Sequence, residues 1–254
     1  MIGTSAPRAS GSAVAGDDAR HEQLIRLAAG FRLFARFGFD LGVAGHISLR
    51  DPVHPGRFWV NPLGRHFSKI RASDLVLVDH EGHVLNGNHE INHSAFVIHS
   101  RIHAARADVH AVAHAHSPYG TALSALGCPV VPITQNACVF YEDHAVLSDY
   151  TGPVVDLGEG QRIVESLGTA KAILLSNHGP LTVGTTVDEA VWWFICLERV
   201  AMMQLTAQAA GRPVEVGRQA ALAARDTSGT PAAGRLAFRP LFEWIMATEP
   251  DLVG

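Results

Sequence analysis

The segment ADVHAVAHAHSP, residues 107–118, carries the strongest structural signal in the chain, an apolar run that ends in two histidines. Alternate residues of a β-strand project to the same face, so a strand here would let His114 and His116 converge on one metal ion. A second apolar run ends just before His178, which lies in the tetrapeptide NHGP at 177–180. Three neutral imidazoles with an open coordination position are typical of catalytic zinc, and they also suit Fe(II) or Mn(II). The spacing therefore predicts a centre for one divalent metal ion, with Zn, Mn and Fe as the candidates.

Apolar periodicity on either side of this segment predicts a single α/β domain. Helices are predicted over 22–37, 94–105, 118–126, 158–167, 187–210 and 236–246. Strands are predicted over 46–49, 57–61, 75–78, 83–85, 108–114, 172–176 and 181–183, and the third and fourth should form a hairpin. We expect residues 1–18 to be a disordered leader, 19–212 the metal-binding domain, and 213–254 a C-terminal extension with a terminal helix. The Gly- and Ala-rich stretch 211–234 is expected to be mobile or loosely packed.

The composition excludes several classes of protein. The chain has 254 residues, 47% of them hydrophobic and 17% charged, which is enough for a sizeable core and excludes disorder over the whole length. A formal net charge of −4 provides no basic surface for nucleic acid. Three scattered cysteines cannot form a disulfide framework and indicate a reducing compartment. There is no apolar run of the ~20 residues needed to span a membrane, and no secretory signal pattern. We therefore expect a cytoplasmic protein with no nucleic-acid or membrane partner.

The chain contains 15 histidines, and a structural role is the alternative for each of them. A lone HxH motif is a weak indication of a metal site, and the companion His178 strengthens it. His99 and His103 lie four residues apart on a predicted helix, a spacing that can bind metal. Such pairs are more often structural, so we favour the structural interpretation for these two.

Five segments, in this order along the chain, resemble the class II aldolase/adducin family. They are GVAGHISLRDP at 42–52, NPLGRHFSKIRASDLVLVD at 61–79, INHSAFVIHSRIHAARADVHAVAHAHSP at 91–118, FYEDHAV at 140–146 and ILLSNHGPLTVGTTVDEA at 173–190. The resemblance covers about residues 22–212 and implies a single α/β/α domain with a mainly antiparallel central sheet. It also implies a homotetramer with sites between subunits, and it makes His114, His116 and His178 the three metal ligands.

This chain departs from the family's aldolases at several positions. The resemblance implies that aldolases carry a glutamate general acid/base where this chain has Ala95, and related epimerases an aspartate; a methyl group cannot move a proton. The pairs that hold phosphate have become Gly45–His46, Leu63–Gly64 and His93–Ser94. The aldolases also use a C-terminal tyrosine, whereas no tyrosine follows Tyr150. A sugar-phosphate aldol or epimerase reaction is therefore disfavoured.

The altered pocket points to a carboxylate substrate. The resemblance places His46 and His93 at the metal cleft, with Arg65 just beyond Gly64, and imidazolium and guanidinium groups suit a small-molecule carboxylate. A surface histidine is the alternative for His93, and a buried structural tyrosine is the alternative for Tyr141. We predict His46, His93 and Tyr141 as catalytic residues, the last reaching a neighbouring subunit's site, and Gly45, Gly64, Arg65 and Ser94 as substrate-binding residues.

Together these features predict a metal-dependent lyase that decarboxylates a hydroxylated aromatic or keto carboxylic acid, with the metal as Lewis acid. Loss of CO2 needs no base to abstract a carbon proton, so Ala95 is compatible with it. Three alternatives stay open: an Fe(II)/O2-dependent oxygenase that decarboxylates oxidatively, an aldolase with an altered acid/base, and a non-catalytic adducin-like assembly module. The resemblance allows both the decarboxylase and the oxygenase, because some family members decarboxylate hydroxylated aromatic acids and a few are iron-dependent oxygenases.

Overall fold

The computed structural model describes residues 11–87, 89–152, 154 and 156–254. Helices and strands alternate along these residues. The helices are α1 (Gly11–Arg36), α2 (His93–Ala105), α3 (Pro118–Ala125), α4 (Gln135–Cys138), α5 (Leu157–Leu167), α6 (Val187–Ala210), α7 (Arg218–Ser228) and α8 (Pro231–Thr248). The strands are β1 (Gly45–Arg50), β2 (Arg57–Val60), β3 (Val76–Asp79), β4 (Val84–Asn86), β5 (Ala111–Ala115), β6 (His144–Leu147), β7 (Ala172–Leu175) and β8 (Gly179–Gly184).

The strands form one sheet in the order β4-β3-β2-β1-β5-β8-β7-β6. All neighbouring pairs are antiparallel except β6 and β7, which are parallel. The predicted mainly antiparallel sheet is therefore confirmed, as is the β3–β4 hairpin. Sequence reasoning missed β6, because this strand is short and only partly buried.

Helices cover both faces of the sheet and make a three-layer α/β/α domain. One face packs against α1, α6 and α8, where Ile47 and Leu49 of β1 join the aromatic core around Phe34. Helices α3 and α4 continue this layer over β7. The opposite face packs against α2 and α5, with Val112 of β5 among its core residues. Because side chains alternate along a strand, β1 and β5 contribute to both layers.

Helix α1 begins at Gly11 rather than at Glu22. Residues 11–18 of the predicted leader therefore lie within a helix, and residues 1–10 lie outside the described part of the chain. Arg20 anchors this part of α1 through an ion pair to Asp51 at 3.0 Å.

The C-terminal extension is helical and packed, which corrects the expected loose segment over 211–234. Helix α7 occupies the middle of that stretch and buries Ala221, and its apolar residues are alanines and one leucine rather than large side chains. Helix α8 is longer than the predicted terminal helix and buries Phe238 and Ile245 against the core. An ion pair of 2.9 Å between Arg32 of α1 and Glu249, which directly follows α8, holds the last residues of the chain against α1.

No helix in the described residues has both the length and the apolar character that crossing a membrane requires.

Candidate metal centre

Three predicted ligands meet at one end of the central strands. His114 lies in β5, His116 directly follows that strand, and His178 lies in the turn between β7 and β8. The ring centroids are 5.3 Å apart for His114 and His116, 4.7 Å for His114 and His178, and 5.0 Å for His116 and His178. One ring nitrogen of each lies within 4.8 Å of the other two. A divalent ion could therefore be held by all three while coordination positions stay open.

The orientation of His114 fits a metal ligand. Its Nδ1 lies 2.9 Å from the carbonyl oxygen of Pro180. A carbonyl can only accept a hydrogen bond, so Nδ1 carries the proton and Nε2 is left with a free lone pair. A backbone carbonyl is a common outer-shell partner of a metal-binding histidine, because it sets the tautomer and the ring orientation.

The β7–β8 turn presents His178 through a special backbone conformation. Asn177 has a φ of 58°, a left-handed value that asparagine tolerates better than most residues. The His178 amide donates to the carbonyl of Leu175 at 3.0 Å and closes the turn. Gly179 has a φ of 146°, and a Cβ there would lie 3.3 Å from the Ala115 carbonyl oxygen. The sequence NHG therefore suits a tight turn against the end of β5.

Burial keeps the three ligands unprotonated. Burial lowers the pKa of His114 well below its ordinary value, and to a lesser degree that of His116. Burial, with His116 as a neighbouring positive charge, lowers the pKa of His178 to about 4. Metal ions bind only the unprotonated nitrogen, so the cluster is in a binding-competent state at neutral pH.

Gly45 lets β1 approach the centre closely. Its φ is 123°, and a Cβ at this position would lie 3.2 Å from both the carbonyl oxygen of His114 and the Cβ of Ala115. Any side chain here would push β1 away from β5 beside the ligands, which explains why glycine occupies the position.

A buried carboxylate anchors the backbone that follows His116. Glu198 of α6 accepts hydrogen bonds from the Ser117 hydroxyl at 2.6 Å, the Tyr119 amide at 2.8 Å and the Gly120 amide at 2.6 Å. These amides lie at the start of α3, where helical N–H groups have no partner within the helix. Glu198 therefore satisfies the start of α3 from another element and fixes the chain next to a ligand.

A cavity of about 230 Å³ opens over the three histidines. Three residues predicted from sequence, Gly45, His46 and Ser94, line it together with the ligands. Sequence reasoning missed the other lining residues, which are Val43, Ala44, Asn92, Tyr150, Gly152 and Val154. A signal existed for Asn92, because asparagine is a favoured N-cap and its side chain accepts from the Ser94 amide at 2.9 Å.

Four predicted site residues do not line this cavity in the described chain. Gly64 lies in an exposed turn, and the side chain of Arg65 pairs with Asp74 at 3.0 Å. His93 is exposed at the start of α2. Tyr141 follows α4, and its carbonyl accepts from Arg225 at 3.3 Å.

The expected cationic pocket is absent from the described part of this single chain. No lysine or arginine lines the cavity. Burial, reinforced by His99, lowers the pKa of His46 well below its ordinary value. His46 is therefore a neutral donor or acceptor rather than an imidazolium, and the prediction erred because sequence does not reveal how deeply a side chain is buried.

His46 is the first of four buried polar side chains that contact one another in a row. We call this row the histidine column: His46, His99, Ser48 and His103. His46 Nδ1 is 2.6 Å from His99 Nε2, and His99 Nδ1 is 2.5 Å from Ser48 Oγ. Ser48 Oγ is in turn 2.8 Å from His103 Nε2. Neither His99 nor His103 belongs to the three-histidine cluster.

A second group of possible ligands lies in the β3–β4 turn, formed by Asp79, Glu81 and His83. The Asp79 carboxylate accepts from the amides of Glu81 and His83 at 3.0 and 2.9 Å, and from the His83 ring at 2.9 Å. These bonds account for the cluster as a hydrogen-bonded turn.

The three-layer domain, its mainly antiparallel sheet and its three convergent histidines define a class of metal-binding α/β/α domain. The chain belongs to the Class II Aldolase and Adducin N-terminal domain family, whose model matches residues 25–205. This confirms the family predicted from the sequence motifs.

Individual relatives carry different names. The chain is 44% identical, over 90% of its length and 85% of the relative, to decarboxylase NovR of Streptomyces niveus. It is also 44% identical, over 90% of its length and 83% of the relative, to the 4-hydroxy-3-prenylphenylpyruvate oxygenase/4-hydroxy-3-prenylbenzoate synthase of Streptomyces roseochromogenus subsp. oscitans. The structure of L-fuculose 1-phosphate aldolase from Glaciozyma antarctica PI12 has a TM-score of 0.88 and 40% identity, covering 98% of this chain and 96% of that chain. These relatives support an enzyme of lyase type.

Proposed function

We propose that this protein is a metal-dependent lyase that decarboxylates a hydroxylated aromatic or keto carboxylic acid. The observation that carries the proposal is the lining of the cavity, where three neutral imidazoles meet and no described residue supplies a carboxylate. Aldol and epimerase reactions need a group that moves a proton at carbon. Loss of CO2 needs no base that removes a proton from carbon, and water can supply the one proton that replaces CO2.

The residues have distinct tasks in this proposal. His114, His116 and His178 would hold the ion, which when bound supplies a Lewis acid for a substrate oxygen. In a hydroxylated aromatic acid, a proton from water adds to the ring carbon that bears the carboxyl group, the bond to that group breaks, CO2 leaves, and the electron pair restores the ring. In an acid with a keto group at C3, the electron pair passes to the keto carbonyl as CO2 leaves, and a proton from water takes the place of CO2. His46 stands opposite His114 in the β1–β5 register, with ring centroids 5.0 Å apart, and can hydrogen-bond a substrate oxygen. Val43 and Val154 give the cavity apolar walls.

The names of two relatives support this reaction class. One is called a decarboxylase, and the other is named for an arylpyruvate substrate and a hydroxybenzoate product. Both names describe hydroxylated aromatic acids or loss of a carboxyl group. The similar structure named as an aldolase favours aldol cleavage instead, and Ala95, buried outside the cavity, argues against that reaction.

The second candidate function is an Fe(II)/O2-dependent oxygenase that decarboxylates oxidatively. The relative named as an oxygenase is the observation that favours it. Three histidine ligands leave positions for both a substrate and a second small molecule, and they suit Fe(II) as well as Zn or Mn. Consumption of dioxygen separates this reaction from simple decarboxylation.

Metal content tests the centre. Tag-free protein purified without chelators should hold about one divalent ion per chain, and His178→Ala should lose it. His83→Ala is the matched control, because it removes a histidine from the β3–β4 turn and should leave the metal content unchanged. Loss of metal in His83→Ala but not in His178→Ala would place the ion in the β3–β4 turn and contradict the proposed centre. Metal-free protein from every preparation would favour the adducin-like assembly module.

Turnover tests the reaction. We would supply 4-hydroxyphenylpyruvate, its 3-prenyl derivative and hydroxybenzoates to protein loaded with Zn, Mn or Fe(II), and measure CO2 release and O2 consumption together. CO2 release from the hydroxybenzoates without O2 uptake is the expected result, and CO2 release from the arylpyruvates that requires iron and O2 would establish the oxygenase. Cleavage of hydroxy-keto acids without CO2 release would identify an aldolase with a different acid/base and overturn the proposal.

We also propose that the protein acts as a cytoplasmic homotetramer whose sites lie between subunits. The family resemblance supports it, and so does the position of Tyr141 outside the cavity of its own chain. Light scattering on purified protein should give a mass close to four chains. Tyr141→Phe should then lower kcat without changing that mass, and the same substitution would have no effect if Tyr141 is only structural.

A further inference from the structure

The histidine column admits only a few arrangements of its protons. A neutral imidazole has one donor and one acceptor nitrogen. Burial lowers the pKa of His103 to about 3 and that of His99 well below its ordinary value, so both rings are neutral. Each nitrogen–nitrogen or nitrogen–oxygen contact in the column needs one proton and one lone pair. The tautomer of one ring therefore sets the tautomer of the next.

Ser48 connects the two halves of the column. Within the described chain its hydroxyl bonds only to His99 Nδ1 and His103 Nε2, so a proton directed elsewhere would have no acceptor. The hydroxyl must then donate to one ring and accept from the other. This leaves two arrangements, in which all three histidines carry the proton on Nε2 or all three carry it on Nδ1.

The far end of the column selects between them. His103 Nδ1 is buried and makes no hydrogen bond of regular geometry; its contact with the Val109 carbonyl raises the pKa of the ring, but burial and the Arg50 charge lower it by more. The Val109 carbonyl beside it accepts instead from Nε and Nη2 of Arg50, at 3.2 and 3.1 Å. Buried N–H groups without an acceptor are rarer than unpaired acceptors, and the Arg50 guanidinium disfavours a proton on the nitrogen that faces it. The free position therefore suits a lone pair, which puts the His103 proton on Nε2.

We propose that His99, Ser48 and His103 are positioning residues that fix His46 as an Nε2–H donor to the metal cavity. His103 donates to Ser48, Ser48 donates to His99, and His99 donates to His46 Nδ1. His46 then offers its only proton to the cavity, where it suits a carboxylate or carbonyl oxygen of the substrate. With that proton in place, His46 Nε2 cannot act as a further metal ligand. The inference rests on the proposed metal centre but not on which reaction it performs.

The tautomers are measured directly by 15N spectra of histidine-labelled, zinc-loaded protein, assigned with single-histidine variants. We expect His46, His99 and His103 each to be protonated on Nε2 alone. A proton on Nδ1 of any of the three would overturn the proposal. Because the spectra are recorded without substrate, this failure is distinct from a failure to release CO2.

Ser48→Ala tests the connection. Without the hydroxyl, His99 is free to take either tautomer, so we expect Nδ1–H signals from His99 and His46 while zinc stays at about one ion per chain. Ser48→Thr keeps the hydroxyl and should restore the single Nε2–H state. Ser100→Ala is the matched control, since this buried hydroxyl donates to the Val97 carbonyl outside the column. Wild-type tautomers in Ser48→Ala would show that Ser48 does not position His46; if Ser48→Ala does not fold, the wild-type spectra still decide.

Discussion

Strand β1 has two buried faces with opposite chemistry. Ile47 and Leu49 pack into hydrocarbon beneath α1, α6 and α8, whereas His46 and Ser48 face α2 and belong to the histidine column. Exposure does not distinguish the faces, because all four residues are almost fully buried. The hydrocarbon face contributes stability in proportion to the area removed from water, whereas the polar face must pair each donor and acceptor. One strand thus links the core of the domain to the alignment of its site.

The largest effect is expected from the hydrocarbon face. Phe34 is fully buried, with ring centroids 4.6 Å from Phe194 and 5.4 Å from Phe39. Phe34→Ala should lower the free energy of unfolding by about 3–5 kcal/mol, because it removes a large buried side chain and leaves a cavity. Urea unfolding of zinc-loaded protein measures this, and the zinc content should stay unchanged. Phe37→Ala, at a partly buried position, should cost clearly less; equal costs would contradict the packing argument.

The polar face should show its character as a dependence on pH. Burial, with Arg50 nearby, lowers the pKa of His103 to about 3. Between the ordinary histidine pKa of about 6.5 and that value, the unfolded chain binds a proton that the folded protein does not, so stability falls as the pH falls. This difference amounts to about 3 kcal/mol between pH 7 and pH 4.

His103→Gln should reduce that loss, because the variant has no imidazole to protonate in the unfolded chain. Urea midpoints at several pH values measure the slope, and His21→Gln, which replaces an exposed histidine of α1, should keep the wild-type slope. Parallel pH curves for wild type and His103→Gln would show that His103 titrates alike in both states.

The smallest loss of stability is expected for a single hydroxyl on the side of the sheet that packs against α1, α6 and α8. Thr182 of β8 donates to the Ala190 carbonyl of α6 at 2.7 Å. Thr182→Val keeps the side-chain shape and should cost about 1 kcal/mol or less, because the lost hydrogen bond is partly offset by burial of a methyl group. Thermal unfolding resolves a change of this size. A loss of stability as large as that of Phe34→Ala would show that hydrogen bonds, and not only apolar packing, stabilise this side of the sheet.

Local patterns predicted an α/β domain and indicated three histidines as a possible metal centre, and the family resemblance added the mainly antiparallel sheet and the ligand assignment. Alternation in β5 and the NHG turn are short-range signals, and each places its histidine without knowledge of the rest of the chain. The histidine column could not be predicted in this way, since it depends on α2 packing across β1. His99 and His103 meet Ser48 only because elements about fifty residues apart are brought together.

The prediction of a cationic pocket was wrong for a related reason, because sequence shows neither burial nor the direction of a side chain. Residue type suggested a charge on His46, and burial removes it. Arg65 directly follows Gly64, which was predicted to bind substrate, yet the Arg65 side chain forms an ion pair with Asp74. Helix α7 was missed because its apolar residues are alanines and one leucine, and the prediction relied on large apolar side chains.

The pairing of β1 with β5 sets Gly45 opposite Ala115 and His46 opposite His114. A strand repeats every two residues, so deleting or inserting one residue in β1 would turn Ile47 towards α2 and a histidine into hydrocarbon. A change of two residues would keep the faces but move His46 away from His114. Strand β1 should therefore be more sensitive to changes in length than to single substitutions at positions other than Gly45. Natural variants of this domain should accordingly differ in length in their loops and not within β1.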